Sequence, residues 1–134
     1  MILVDTSIWI DALGPRPGAA TKRLRAYVDR AIDCALCDLI LVEVLQGART
    51  DREFDRLLAY LQPQPFLAPV EGQATYTRAA ELYRRCRAEG FTPRSTIDCV
   101  IAQLAIDHGV PLLHADREFL RIAAIDKRFR QVAV

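Results

Sequence analysis

Short apolar runs alternate with longer segments of helical periodicity along most of the chain. Between the short runs, apolar residues recur at three- and four-residue spacing, which is typical of helices that pack on a core. This alternation predicts an α/β protein in which helices cover a parallel sheet. We expect the strands at residues 2–4, 34–37, 63–70 and 111–114, with a fifth at 131–134.

Glycine, proline and capping residues set the expected helix boundaries. We expect Asp38 to cap one helix, Asp116 to begin the last, short one, and Gly109 to end the helix before it. At 134 residues, the chain is long enough to form one domain, residues 1–134, with a substantial core. The other helices are expected at residues 6–13, 19–33, 38–48, 51–61, 72–89 and 95–108.

Composition and charge indicate no particular partner. The 18 Lys and Arg residues nearly balance 17 Asp and Glu, so any nucleic-acid affinity has to come from local clusters. Basic clusters at 22–25, 84–87 and 126–130 are either phosphate contacts or solvated surface. No apolar run approaches the roughly 18 residues of a membrane span, and Asp5 interrupts the first run too early for a secretory signal. We therefore expect a cytoplasmic protein without membrane contact.

Two of the four cysteines form a C-x-x-C pattern, Cys34 and Cys37. Zinc or redox chemistry is one interpretation, but no second pair completes a zinc set. Residues three apart on a strand also face opposite ways, which is poor geometry for shared ligation. We therefore favour a buried strand.

Two aspartates directly follow apolar strands. Asp5 ends the first strand, and Asp116 comes just after the fourth, in PLLHAD. In parallel α/β folds, ligands bind beyond the carboxyl ends of the strands. If the two strands are neighbours, both carboxylates face one crevice. The alternative is that each aspartate simply caps the helix that follows it.

Two further acids interrupt apolar helices. Glu43 lies in a helix that is apolar nearly all round, which predicts burial and makes an unpartnered charge costly. Asp98 begins a row that shares one helix face with Ile101 and Ala105. Alternatively, Glu43 bonds to an arginine such as Arg49, and Asp98 completes a capping box with the serine three residues before it.

Taken together, the four acids favour a metal site. Carboxylates gathered in a crevice repel one another and raise one another's pKa values unless a divalent cation neutralises them. Oxygen ligands without histidine or cysteine partners suit Mg²⁺ or Mn²⁺ rather than zinc.

The segments VDTSIWID and TIDCVIAQLAIDHGVPLLHADREF, with Glu43 and the order of the elements, resemble PIN-domain ribonucleases, and more narrowly the VapC toxins of bacterial toxin–antitoxin pairs. The resemblance covers essentially the whole chain. It implies a three-layer α/β/α fold with a central parallel sheet of four to five short strands. It also implies a catalytic set of Asp5, Thr6, Glu43, Asp98 and Asp116, in which the three aspartates hold Mg²⁺, or Mn²⁺ in its place.

The resemblance also suggests individual roles. Glu43 would orient or deprotonate the attacking water, and Thr6 would contact the metal shell or a phosphate oxygen. His114 stands where many relatives have threonine or serine; we expect a structural strand-end residue, with a substrate-phosphate contact or tuning of Asp116 as alternatives. Arg94 is a weaker candidate for substrate binding.

The function implied is a Mg²⁺-dependent endoribonuclease toxin that cleaves structured RNA, such as transfer or ribosomal RNA. The expected partners are this RNA, a cognate VapB-type antitoxin and a second copy of the chain. Two alternatives stay open, an RNA-processing PIN nuclease without a toxin role and an inactive PIN module that binds RNA or protein. Possible residues of the homodimer interface are Tyr60, Leu61, Phe66 and Tyr76, although core packing is the expectation for most.

Overall fold

The computed structural model describes all residues from 1 to 134. It has four strands, β1 (Ile2–Val4), β2 (Cys34–Ala35), β3 (Leu112–His114) and β4 (Gln131–Ala133). All are parallel, and they lie in the order β2-β1-β3-β4. Every residue of β1 and β3 is buried, which fits strands covered on both faces.

Seven helices flank this sheet, so the expected α/β/α fold is confirmed. They fall into two contacting groups, α1 to α4 and α5 to α7. None of them combines the length and apolar content that crossing a bilayer requires. The helices are α1 (Thr6–Leu13), α2 (Ala19–Val28), α3 (Asp38–Leu45), α4 (Asp51–Leu61), α5 (Gln73–Ala88), α6 (Thr96–His108) and α7 (Arg117–Ile125).

The core contains residues of the sheet and of both groups of helices, and α6 is its most deeply buried helix. Residues 99–105 of α6 are all buried, so this helix is the apolar centre of its layer. Gly109 ends α6 in the left-handed conformation (φ 63°), as its position in the sequence predicts. The expected strand at 131–134 is present as β4.

The prediction of a strand at 63–70 is wrong. The segment makes one isolated parallel bridge, between Phe66 and Leu36 beyond β2, through hydrogen bonds of 2.8 and 3.0 Å. The three prolines of this segment lack the N–H that a longer ladder needs, which limits the pairing.

The predicted helix over 19–33 is too long, because α2 ends at Val28. The chain turns through Ala31, which has a positive φ of 55°, and Ile32 N–H donates back to Tyr27 O at 3.0 Å. Ile32 still packs against the core. Its spacing therefore continues the apolar pattern of α2 after the helix itself has ended.

Helix α3 differs from the prediction in its start, its end and its burial. Cys37, not Asp38, occupies the N-cap position, and Leu45 is the last helical residue. An apolar helix was expected to be buried, but 57% of Val42 is exposed. An apolar stripe wider than the core needs therefore leaves part of α3 at the surface.

The cysteines and the candidate interface residues differ in their exposure to solvent. All four cysteine thiols are free and buried. Leu61 is fully buried and unavailable to a partner, whereas the expectation of core packing is wrong for Tyr60, Phe66 and Tyr76, which are all exposed.

Candidate active site

The carboxyl ends of β1 and β3 meet at one edge of the sheet. The two strands pair directly, and Asp5 N–H donates to Leu113 O at 2.9 Å. We predicted from the sequence that Asp5 and Asp116 face one crevice if these two strands are neighbours, and the two strands are neighbours. Asp5 and Asp116 line one open cleft of about 680 Å³.

Asp5 has a capping contact and remains in the cleft. Its Oδ2 accepts the Ser7 hydroxyl at 2.8 Å and, more weakly, the Ser7 N–H at 3.4 Å, which makes Asp5 the N-cap of α1. Only 6% of Asp5 is exposed, and this burial raises the pKa of its carboxyl despite the hydrogen bonds from Ser7. Asp5 therefore caps α1, as the alternative stated, and it lines the cleft as well.

His114 positions the backbone of Asp116. The Asp116 N–H donates to His114 Nδ1 at 3.2 Å, so the imidazole proton lies on Nε2, which donates to Gln131 Oε1 at 2.9 Å. The His114 side chain is fully buried, which places it away from any phosphate at the surface. Its position fits the structural strand-end role that we expected, and its burial gives no support to the alternative of a substrate-phosphate contact.

Arg94 lies across two acids. Its Nη2 is 3.1 and 3.0 Å from the two carboxylate oxygens of Asp116, and its Nε is 3.1 Å from Glu118 Oε1. The backbone N–H of Arg94 also donates to Glu118 Oε2 at 3.1 Å. Arg94 is therefore engaged by the acids instead of standing free for substrate.

Glu43 meets Thr6. The Thr6 hydroxyl donates to Glu43 Oε1 at 2.9 Å, which joins α3 to the first turn of α1. The alternative partner, Arg49, does not bond to Glu43; its backbone N–H donates to Glu53 Oε2 at 3.1 Å. Thr6 therefore orients Glu43, a contact that the sequence did not predict.

Asp98 is the acid without a partner. It forms no hydrogen bond or ion pair within the chain, and the capping box is incomplete because Ser95 accepts from Ile97 N–H instead. Burial, followed by repulsion from Asp5, Asp116, Glu118 and Glu43, raises the pKa of Asp98 to about 7. Since all four other carboxylates act on Asp98, the acids predicted from the sequence form one electrostatic cluster.

The donor chemistry of this cluster fits a hard dication. It consists of carboxylate oxygens, and repulsion between these acids adds to burial in raising the pKa of Asp98. The side chains do not form a closed ligand set as they stand, since no three histidine, cysteine, aspartate or glutamate residues surround a common point.

Sequence reasoning missed Glu118 and two arginines of the cleft. Glu118 is 6% exposed and follows Asp116 in the first turn of α7, where acids are common for reasons of helix polarity. Arg117 and Arg121 line the cleft, whereas no residue of the basic clusters at 22–25, 84–87 or 126–130 does so. The spacing of four residues between Arg117 and Arg121, which puts both on one face of a helix, was the signal in the sequence that could have found them.

Comparison with known proteins agrees with this architecture. The model of the family described as PIN domain matches residues 2–125. Ribonuclease VapC11 of Mycobacterium tuberculosis is 38% identical over 126 residues, which cover 93% of each chain. Ribonuclease VapC21 of the same species is 31% identical over 111 residues, covering 82% of this chain and 79% of VapC21. A solved toxin–antitoxin complex from Klebsiella pneumoniae has a chain of the same fold, with a TM-score of 0.74 at 21% identity, covering 99% of this chain and 97% of that one. The chain belongs to the PIN domain family.

Proposed function

We propose that this protein is a Mg²⁺-dependent endoribonuclease and the toxin of a type II toxin–antitoxin pair. The observation that carries the proposal is Asp98, a carboxyl without a hydrogen-bond or ion-pair partner whose pKa burial, followed by repulsion from four surrounding acids, raises to about 7. Acids with strongly perturbed pKa values that gather beside a cleft are typical of functional sites, and a bound cation would offset their repulsion. Relatives that cover more than nine-tenths of the chain are named VapC ribonucleases, which supports RNA as the substrate.

Asp5, Asp98 and Asp116 would hold the metal, and Mn²⁺ would substitute for Mg²⁺. When bound, the ion supplies a water of lowered pKa and polarises a phosphoryl oxygen. Glu43 would orient or deprotonate the attacking water, and Thr6 fixes the orientation of Glu43 through their 2.9 Å hydrogen bond. The contact of Thr6 with the metal shell or a phosphate oxygen, expected from the sequence, stays a prediction beside this role.

The substrate proposed is a structured RNA such as transfer or ribosomal RNA, cut in an exposed loop whose bases are unstacked. The proposed inhibitor is a VapB-type antitoxin. Support comes from the relatives' names and from solved complexes of similar fold, among them VapBC2 of Rickettsia felis. A homodimer is proposed as well, and exposed Tyr60 and Tyr76 are available for it.

The test is cleavage of total cellular RNA by the purified protein with Mg²⁺, with Mn²⁺ and with a chelator. We expect cleavage that needs the metal and falls at least a hundredfold in Asp5→Asn and Asp98→Asn, as is usual when catalytic groups are removed. Asp55→Asn is a matched control, because Asp55 is an exposed aspartate on α4 that does not line the cleft. Equal cleavage by wild type and Asp98→Asn would refute the proposal.

Expression in cells separates the toxin from an RNA-processing enzyme. A toxin arrests growth when expressed alone, Asp98→Asn does not, and co-expression of its antitoxin restores growth. An RNA-processing nuclease would cleave RNA without arresting growth, and an inactive binding module would bind RNA without cleaving it.

A further inference from the structure

Three arginines line the cleft that holds Asp5 and Asp116. Arg94 is paired with Asp116 and Glu118. Arg117 and Arg121, both exposed, make no side-chain hydrogen bond and no ion pair within the chain. Two guanidinium groups with free donors therefore stand beside the acidic cluster.

Arg121 is held in place by an aromatic ring. Its guanidinium carbon lies 3.7 Å from the centroid of Phe91, which is only 5% exposed. Contact of one planar face with the ring leaves the N–H donors at the edge of the guanidinium free. An arginine ordered in this way loses less side-chain entropy when a ligand binds.

Arg117 and Arg121 are four residues apart on α7, so they lie on one face of the helix. That face begins directly after Asp116, at the acidic cluster. A nucleic-acid strand that reaches these carboxylates meets their repulsion, and it needs positive charge close by to offset it. Arginine also matches phosphate geometry with two parallel N–H donors.

We propose that Arg121, supported by Arg117, binds the phosphate backbone of a single-stranded RNA segment, which enters the cleft along α7. This inference rests on the proposed ribonuclease function and adds to it the path of the substrate. The basic clusters in α2 and α5 do not line the cleft and are not part of that path.

A purely structural role for Arg121 would be to cover Phe91. Arg121→Leu separates the two roles, because leucine covers the ring and offers neither charge nor donors. Arg121→Gln is the second variant, with a polar side chain of neutral charge. Arg52→Leu is the matched control, since Arg52 is an exposed arginine on α4, makes no side-chain bond and lies outside the cleft.

The experiment measures binding of a fluorescein-labelled RNA hairpin with an unpaired loop, at several KCl concentrations. All proteins carry Asp98→Asn so that the RNA stays intact. We expect Arg121→Leu and Arg121→Gln to bind about tenfold more weakly, as for loss of a hydrogen bond from a charged group. The slope of log affinity against log salt should become shallower by about 0.7 for the single lost phosphate contact. Arg117→Leu should show a smaller loss in the same direction.

Three results would overturn the inference. They are unchanged affinity in both Arg121 variants, an equal loss in Arg52→Leu, and a loss of affinity with an unchanged salt slope, which would indicate base stacking instead of a phosphate contact. In proteins that keep Asp98 and therefore cleave RNA, the Arg121 variants should show a larger rise in KM than fall in kcat. If wild type neither binds nor cleaves RNA, the proposed ribonuclease function itself is wrong. That result differs from one in which wild type binds RNA and the Arg121 variants bind it equally well.

Discussion

Arg94 Nη2 lies within 3.1 Å of both carboxylate oxygens of Asp116. The same guanidinium reaches Glu118, and these acids raise the pKa of Arg94. Arg94 is 71% exposed at its side chain, so the pair is solvated and opens at little cost. A divalent cation that uses Asp116 as a ligand therefore competes with Arg94 for the same oxygens.

Arg94→Gln is expected to bind Mn²⁺ more tightly than wild type. The gain should be about three- to tenfold, because an exposed ion pair contributes roughly 1 kcal/mol at most and a nearby positive charge is removed as well. Isothermal titration with Mn²⁺ measures it. Arg117→Gln removes a positive charge from the cleft without breaking a bond to Asp116 and should show a smaller gain. Equal affinities for wild type and Arg94→Gln would contradict the competition.

Asp98→Asn is expected to stabilise the metal-free protein at neutral pH. The folded state holds the Asp98 proton up to pH 7, whereas the unfolded chain releases it near pH 4. Raising the pH through this window therefore favours unfolding of wild type. After allowance for relaxation around the charge, we expect a gain of about 1–2 kcal/mol in the variant at pH 7.5.

Urea denaturation of both proteins in a chelator, at intervals from pH 4.5 to 8, measures the difference. It should grow as the pH rises to about 7 and level off above, following the pKa of Asp98. Asp55→Asn serves again as the control. A difference that is constant with pH would show that Asp98 ionises normally.

His114→Leu and Gln131→Leu form an informative pair. Each breaks the hydrogen bond between the two side chains, and only His114→Leu also removes the acceptor for the Asp116 N–H. Both should lower the free energy of unfolding by about 1–3 kcal/mol, the usual cost of an unsatisfied buried polar group or a lost hydrogen bond.

Their activities should differ. RNA cleavage should fall strongly in His114→Leu, because Asp116 loses its backbone support, and should stay close to wild type in Gln131→Leu. Equal loss of cleavage in the two variants would assign the effect to general destabilisation of the sheet.

Asp126→Asn should destabilise the protein without affecting the cleft. Asp126 is 3% exposed and accepts hydrogen bonds from Arg85 and Arg128, and these arginines hold its pKa well below the usual range. The folded-state pKa is depressed, so this stabilisation is complete above about pH 4 and fades as the pH falls further.

At pH 7 we expect a loss of about 1.5–3 kcal/mol, the range for hydrogen bonds to charged groups. At pH 3 the difference from wild type should be smaller. RNA cleavage by the folded variant should equal that of wild type, and a variant as stable as wild type at pH 7 would contradict the assignment.

The meeting of Asp5 and Asp116 was predictable from the sequence. Both follow strongly apolar runs, and in a parallel sheet the ends of such strands lie at one edge. Asp98 was predictable from its place on an apolar helix face. These inferences depend only on periodicity and chain direction, which local sequence specifies well.

Contacts of exposed side chains were not predictable in the same way. The sequence shows three arginine-rich clusters and names Arg94 as a candidate, but the other two arginines that line the cleft, Arg117 and Arg121, belong to none of these clusters. Proximity in sequence is not proximity in space once helices turn their faces. The contact of Thr6 with Glu43 has the same cause, since it joins residues on two different helices.

The end of α2 and the missing strand at 63–70 show a second limit. Ile32 continues the apolar spacing after Ala31 has turned the chain, and the prolines near Phe66 prevent a ladder that the apolar pattern favours. In both places the backbone, not the distribution of apolar side chains, decides the structure.

The order of the strands has a consequence for biosynthesis. β1 is synthesised well before β3, which begins at Leu112 and is one of its two neighbours in the sheet. A nascent chain that has not yet exposed β3 and α7 has Asp5 without Asp116 or Glu118. The acidic cluster is therefore completed only after residues 112–125 have left the ribosome, and a shorter nascent chain carries Asp5, Glu43 and Asp98 without the two acids of α7 and its N-cap.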